Sequence, residues 1–167
     1  MDELKQAYIE KLGKSLDMEQ CIVDHLPSLI EASTNEKLRA GLSDHLKETR
    51  EHVARVEQVL AGHKSGEIAK KDDAFRLMVE NAGKEIEKIE DPDVRDAVII
   101  AAAQSVEHAE MARYGTLVEW AKKIDEDGDC INMLKKTLGE EEAADKKLSG
   151  VAEGSIFSTG VNEMAAK

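Results

Sequence analysis

The amino-acid sequence predicts an all-α protein built around four long helices. Apolar residues recur at helical spacing along most of the chain, and no segment alternates between apolar and polar residues as a strand would. Only two prolines occur among 167 residues, so few positions would interrupt a helix. A chain of this length can bury one hydrophobic core, and we expect a single main domain.

Helical patterning covers four long segments and one short one. The segments are residues 3–32, 33–60, 73–89, 92–124 and 130–149. Pro27 lies inside the first and is expected to kink it, whereas Ser33 or Thr34 is expected to cap the second. The sequence therefore predicts a domain over residues 1–150, followed by a weakly patterned tail over 151–167.

The order of these segments predicts a ferritin-like four-helix bundle with a long crossover that carries the extra short helix. Short turns join the first helix to the second and the third to the fourth, as expected for antiparallel neighbours. A polar linker over residues 61–73 precedes the short helix. An up-down-up-down bundle with an inserted helix is the alternative topology.

The charge balance indicates which partners suit the chain. The formal net charge is −12, from 23 Lys and Arg against 35 Asp and Glu, which argues against a nucleic-acid partner. No apolar stretch reaches the ~18 residues that a membrane helix needs. The charged N-terminus does not resemble a signal peptide, so we expect a cytoplasmic protein without a membrane partner.

Acidic residues occur on the apolar faces of all four long helices, which is unusual because a buried carboxylate needs a compensating charge. If the helices bring these groups to one level of the bundle, they would suit a metal site like those of di-iron and di-manganese bundles. The seven candidate ligands are Glu19, Glu48, His52, Glu107, Glu110, Glu141 and Asp145.

The spacing of the candidates differs from the usual bundle motif, Glu-x-x-His, in which the pair lies at i and i+3. Glu48 and His52 lie at i and i+4, and so do Glu141 and Asp145. Both spacings keep the pair on one helix face. His45 also lies on the buried face, where we interpret it as a core or supporting histidine rather than a ligand.

Several long runs resemble the YciF-like family of bacterial ferritin-like proteins. The most distinctive is "DPDVRDAVIIAAAQSVEHAEMARYGTL", and the resemblance extends over roughly residues 5 to 150. It implies a stress-related, dimeric bundle with no settled activity. It also implies a di-metal site, with the ligands Glu19, Glu48, Glu107, Glu141 and Asp145. The chain departs from the family at Ala109, where an aromatic residue is common, and at Gly139, which could loosen the last helix.

Two functions are therefore expected from different classes. The first is a protein that binds two metal ions, iron or else manganese, and reacts with a small-molecule oxidant by oxidising Fe(II) or consuming peroxide. The alternative is a non-enzymatic structural or interaction protein, also a homodimer, with a vestigial metal site. Asp145 in place of a histidine favours the alternative somewhat.

Overall fold

The computed structural model describes residues 2–63, 70–155 and 158–167, and the all-α prediction is confirmed. Residues 64–69 of the predicted linker lie outside the described residues. Within the part of the chain that is described, no helix is both long and apolar enough to cross a lipid bilayer. The elements are α1 (Asp2–Ala32), α2 (Glu36–Ala61), α3 (Asp73–Ile86), α4 (Pro92–Lys123), α5 (Gly128–Glu153), β1 (Gly154–Ser155), β2 (Ser158–Thr159) and α6 (Val161–Ala165).

The four long helices form a closed bundle. Helix α1 packs mainly on α2 and α4 packs mainly on α5, while contacts of α2 with α5 and of α1 with α4 complete the bundle. At one end, the backbone N–H of Thr34 donates to Asp96 Oδ1 at 2.9 Å. At the other end, His63 Nε2 lies 2.6 Å from Glu126 Oε2. Helices α2 and α4 therefore run in the same direction, so the crossover topology is confirmed over the up-down-up-down alternative.

The N-cap of α2 lies one residue after Thr34, the later of the two predicted caps. Asn35 is the cap, and its side-chain oxygen accepts from two backbone N–H groups of the first turn. The prediction of Ser33 or Thr34 was wrong because both hydroxyls donate elsewhere, to a carbonyl of α1 and to Asp96 respectively. Asp91 caps α4 in the same way as Asn35 caps α2.

Other helix boundaries differ from the predicted ones by a few residues. Helix α1 continues through Pro27 as one element. Helix α5 extends further at both ends than predicted and crosses residue 150 into the tail. Beyond it, a two-residue antiparallel pairing of β1 with β2 leads to α6, where Val161 is fully buried. The last residues of the chain therefore pack on the bundle.

Helix α3 is held against α1 and α4 by two ion pairs. Arg76 Nη2 lies 2.6 Å from Asp17 Oδ1, and Arg113 Nη2 lies 2.5 Å from Asp72 Oδ2. The hydrogen bond from Arg76 lowers the pKa of Asp17. Burial would raise the pKa of Asp72, but its bond with Arg113 lowers it. Helix α3 therefore covers one face of the bundle.

Candidate metal centre

Six buried side chains meet at the middle of the bundle and form two overlapping groups. The first group is Glu19, His52, Glu110 and Glu141, and the second is His45, Glu107, Glu110 and Glu141. Within each group, one ligand atom per residue lies within 4.8 Å of all the others. Because Glu110 and Glu141 belong to both groups, they lie between two neighbouring positions for a cation.

All four long helices contribute to these groups. Helix α1 provides Glu19 and α5 provides Glu141, whereas α2 and α4 provide two side chains each. His45 and His52 are seven residues apart, which places them two turns apart on one face of α2. None of the six side chains is more than 6% exposed. The centre is therefore screened from bulk solvent.

The contacts of His52 join three of the helices. Its Nδ1 lies 2.8 Å from Glu141 Oε1 and 3.6 Å from Glu19 Oε2. Its Nε2 lies 3.1 Å from Glu140 Oε2, and Glu140 also accepts from Arg55. The contact of Nε2 with Glu140 orients the imidazole ring so that Nδ1 points to the centre. In metal-binding histidines, a hydrogen bond to the second ring nitrogen commonly has this role.

On the other side of the centre, His45 Nε2 lies 3.3 Å from Glu107 Oε1. Tyr114 is fully buried and donates a hydrogen bond to Glu19 Oε1. The hydroxyl of Tyr114 therefore orients a carboxylate of the first group.

Many buried polar atoms of the centre lack a hydrogen-bond partner among the described residues. They include both carboxylate oxygens of Glu110, Oε2 of Glu141 and of Glu107, and Nδ1 of His45, whereas Glu141 Oε1 and His45 Nε2 have the ion-pair contacts given above. Buried polar atoms are normally paired, since leaving one unpaired costs about 1–3 kcal/mol. Carboxylate oxygens and imidazole nitrogens are ligands of iron and manganese, so this donor set fits a metal pair.

The pKa values of the buried carboxyl groups show how the negative charge of the centre is reduced when no cation is bound. Burial and the neighbouring Glu141 raise the pKa of Glu107 to about 10, and burial raises that of Glu110 well above its usual value. Burial also raises the pKa of Glu19. Protons thus occupy carboxylates that a cation would need in their ionised form.

The pair formed by His52 and Glu141 behaves differently. Burial alone would lower the pKa of His52, but contact with Glu141 and Glu19 raises it to about 10. Burial would raise the pKa of Glu141, but its contact with His52 lowers it. This pair is therefore ionic at neutral pH.

The structure brings together five of the seven predicted ligands, namely Glu19, His52, Glu107, Glu110 and Glu141. Glu48 and Asp145 lie outside both groups. Asp145 Oδ1 accepts a hydrogen bond from Gln104 at 3.0 Å and lies 3.3 Å from His108, so it faces the rim between α4 and α5. Glu48 is half-buried and lines a small cavity beside the second group.

His45 is the member of the centre that sequence reasoning assigned to a supporting role. A signal was present, because His45 precedes His52 by seven residues on the same buried face. In the sequence, His52 was instead paired with Glu48, which precedes it by four residues on the same face. That residue is rotated by about 60° around α2 from His45 at 100° per residue.

A family model described as "Domain of unknown function (DUF892)" matches residues 3–164. The chain belongs to the DUF892 family. Among curated proteins, this DUF892 chain is 37% identical to Protein YciF of Escherichia coli strain K12 over 153 residues, which are 91% of this chain and 92% of that one. The resemblance to YciF-like proteins is confirmed.

Solved structures of DUF892 relatives share the fold. YcfI from Rhodopseudomonas palustris matches with a TM-score of 0.85, and the E. coli stress protein YciF matches with a TM-score of 0.82. Each is 37% identical to this chain, and each match covers 89% of this chain and 94% of the other. The bundle and its topology are therefore shared with these relatives.

Proposed function

We propose that this protein binds two metal ions, iron or else manganese, at the centre of the bundle. One observation carries the proposal: two groups of buried ligands share Glu110 and Glu141. The first ion would be held by Glu19 and His52 together with the shared pair. The second would be held by His45 and Glu107 with the same pair.

The residues of the chain have separate roles in this proposal. Glu110 and Glu141 would place the two ions side by side, which is the arrangement of carboxylate-bridged bundles. Tyr114 orients Glu19, and Glu140 orients His52. An iron pair bound there would supply two electrons to a small oxidant, dioxygen or a peroxide. Burial of the centre keeps other reductants and water away from that reaction.

The proposal also covers the cellular role, the location and the oligomeric state of the protein. The E. coli relative is described as a stress protein, and we extend that role to this chain. We also propose a cytoplasmic homodimer, and sedimentation velocity tests the dimer directly. A monomer at micromolar concentration would contradict the dimer but leave the metal centre intact, because all six ligands come from one chain.

Anaerobic Fe(II) titration of the metal-free protein tests the proposal. Two ions per chain are expected for the unaltered protein. Glu141→Gln should lose stoichiometric uptake because Glu141 belongs to both groups. Glu142→Gln is the matched control, since its side chain is exposed and next in sequence.

Absence of stoichiometric uptake by the unaltered protein, repeated with Mn(II), would contradict the proposal. It would favour the alternative of a structural or interaction protein with a vestigial site. Uptake by Glu141→Gln equal to that of Glu142→Gln would place the ions elsewhere.

A further inference from the structure

An apolar cavity leads from the surface to one side of the candidate centre. It lies between α1, α2, α3 and α4, has a volume of about 70 Å³, and ends at His45 and Glu107. We call it the α3 cavity. Its walls are mainly aliphatic and include Leu26, Leu29, Val79, Ile86, Ala103 and Val106.

The polar groups at the mouth of the α3 cavity are already occupied. Ser28 Oγ donates to the carbonyl oxygen of His25 at 2.7 Å. His25 Nδ1 lies 2.7 Å from the carbonyl oxygen of Cys21 in hydrogen-bond contact. A polar molecule in the cavity would therefore find a free partner mainly at the inner end, where His45 Nδ1 has no hydrogen-bond partner among the described residues.

A second, smaller cavity reaches the same two side chains from the opposite side. It lies between α2 and α5, has a volume of about 30 Å³, and is lined in part by Lys37, Glu48 and Lys147. Its lining combines these charged side chains with aliphatic ones, whereas the polar side chains that line the α3 cavity lie at its mouth and at its inner end. Neither cavity is lined by Glu19 or His52, which are fully buried.

We propose that the α3 cavity binds dioxygen and delivers it to the position between His45 and Glu107, so that the two metal positions are inequivalent. This inference rests on the proposed function. Dry apolar cavities bind small apolar molecules such as xenon, and a volume of about 70 Å³ accommodates a diatomic gas. Because neither cavity is lined by Glu19 or His52, we infer that dioxygen reaches the first position through the second.

The reaction that this placement serves balances with dioxygen as the oxidant. With iron bound, each Fe(II) ion would give one electron to dioxygen and become Fe(III), and two protons would complete the reduction of dioxygen to hydrogen peroxide. The aliphatic walls of the cavity donate no protons, so protons would arrive through the polar groups of the centre.

Two substitutions fill the α3 cavity from opposite walls. Ala103→Leu acts from α4 and Ala82→Leu acts from α3. Their matched controls lie on the same helices at exposed positions, Ala101→Leu and Ala74→Leu. Having two filling variants keeps the test decisive if one of them does not fold.

The first readout is xenon binding by the metal-free protein, followed by ¹²⁹Xe nuclear magnetic resonance. The unaltered protein and both controls should bind xenon, and the filling variants should lose the bound signal. The second readout is oxidation of the Fe(II)-loaded protein by dioxygen. The filling variants should slow it by about tenfold or more, which corresponds to about 1.4 kcal/mol, with unchanged Fe(II) stoichiometry.

Absence of xenon binding, or ordered water filling the cavity, would overturn the inference whether or not metal binds. Xenon binding with unchanged oxidation rates in the filling variants would also overturn it. Failure of the unaltered protein to take up Fe(II) would instead refute the proposed function. Because xenon binding is measured on the metal-free protein, it shows separately whether the cavity is open and dry.

Discussion

Replacing Glu107 by Gln should stabilise the metal-free protein, and more so as the pH rises. Glu107 is 2% exposed, and its pKa is raised to about 10 by burial and by Glu141. In the unfolded chain the same carboxyl returns to its ordinary pKa of 4.5. Between these values the unfolded state holds fewer protons than the folded state, so stability falls as pH rises.

The size of the effect follows from this difference. Each pH unit between the two pKa values costs about 1.4 kcal/mol of folding free energy. At pH 5 the cost from Glu107 is about 1 kcal/mol, and at pH 8 it is nearly 5 kcal/mol. The Glu107→Gln variant is free of this cost, so its stability advantage should grow by about 4 kcal/mol between pH 5 and pH 8.

Urea unfolding in the presence of chelator, at pH 5 and at pH 8, measures this advantage. Glu119→Gln is the control, because Glu119 is an exposed residue of the same helix. An advantage that is equal at the two pH values would refute the reasoning, since Glu107 would then be ionised in the folded state. Adding Mn(II) should reverse the order, because an ion that binds only the folded unaltered protein stabilises it.

Three further predictions concern residues around the centre and at the ends of the bundle. Asp96→Ala should lower the free energy of unfolding by about 3 kcal/mol, because the backbone N–H groups of Thr34 and Asn35 and the Thr34 hydroxyl lose a buried carboxylate acceptor; a loss below about 1 kcal/mol in urea unfolding would contradict this. Tyr114→Phe should weaken binding of one of two ions by about tenfold, because Glu19 loses its orienting bond, and equal weakening of both ions in a Mn(II) titration would count against it. Gly160→Ala should lower the melting temperature because a Cβ there would overlap the backbone of α5, whereas Gly139→Ala has open space among the described residues and should raise it slightly. Equal melting temperatures of these two variants would show that the α6 segment does not pack as described.

The sequence was sufficient to predict the four long helices and their order. Their apolar stripes are long, and Asp91 with Pro92 marks the start of α4 clearly. The cap of α2 was missed because its choice depends on a distant partner. Thr34 is drawn to Asp96, 62 residues away, and this leaves Asn35 to cap the helix.

The candidate site was predictable only in part. Whether an acidic residue lies on the apolar face of its helix can be read from the local sequence. Projecting each helix at about 100° per residue was therefore enough to identify Glu19, Glu107, Glu110 and Glu141. Which neighbour on α2 completes the centre depends on how the helix is rotated in the bundle. That rotation places His45 inside and Glu48 at the edge, and no motif within α2 determines it.

The six candidate ligands divide equally between the two helical hairpins of the bundle. The α1–α2 hairpin carries Glu19, His45 and His52, and the α4–α5 hairpin carries the other three, whereas α3 carries none. Neither hairpin alone can complete either position. Two bound metal ions would therefore link the two hairpins. Loss of the ions would loosen the packing of one hairpin on the other before either hairpin unfolded.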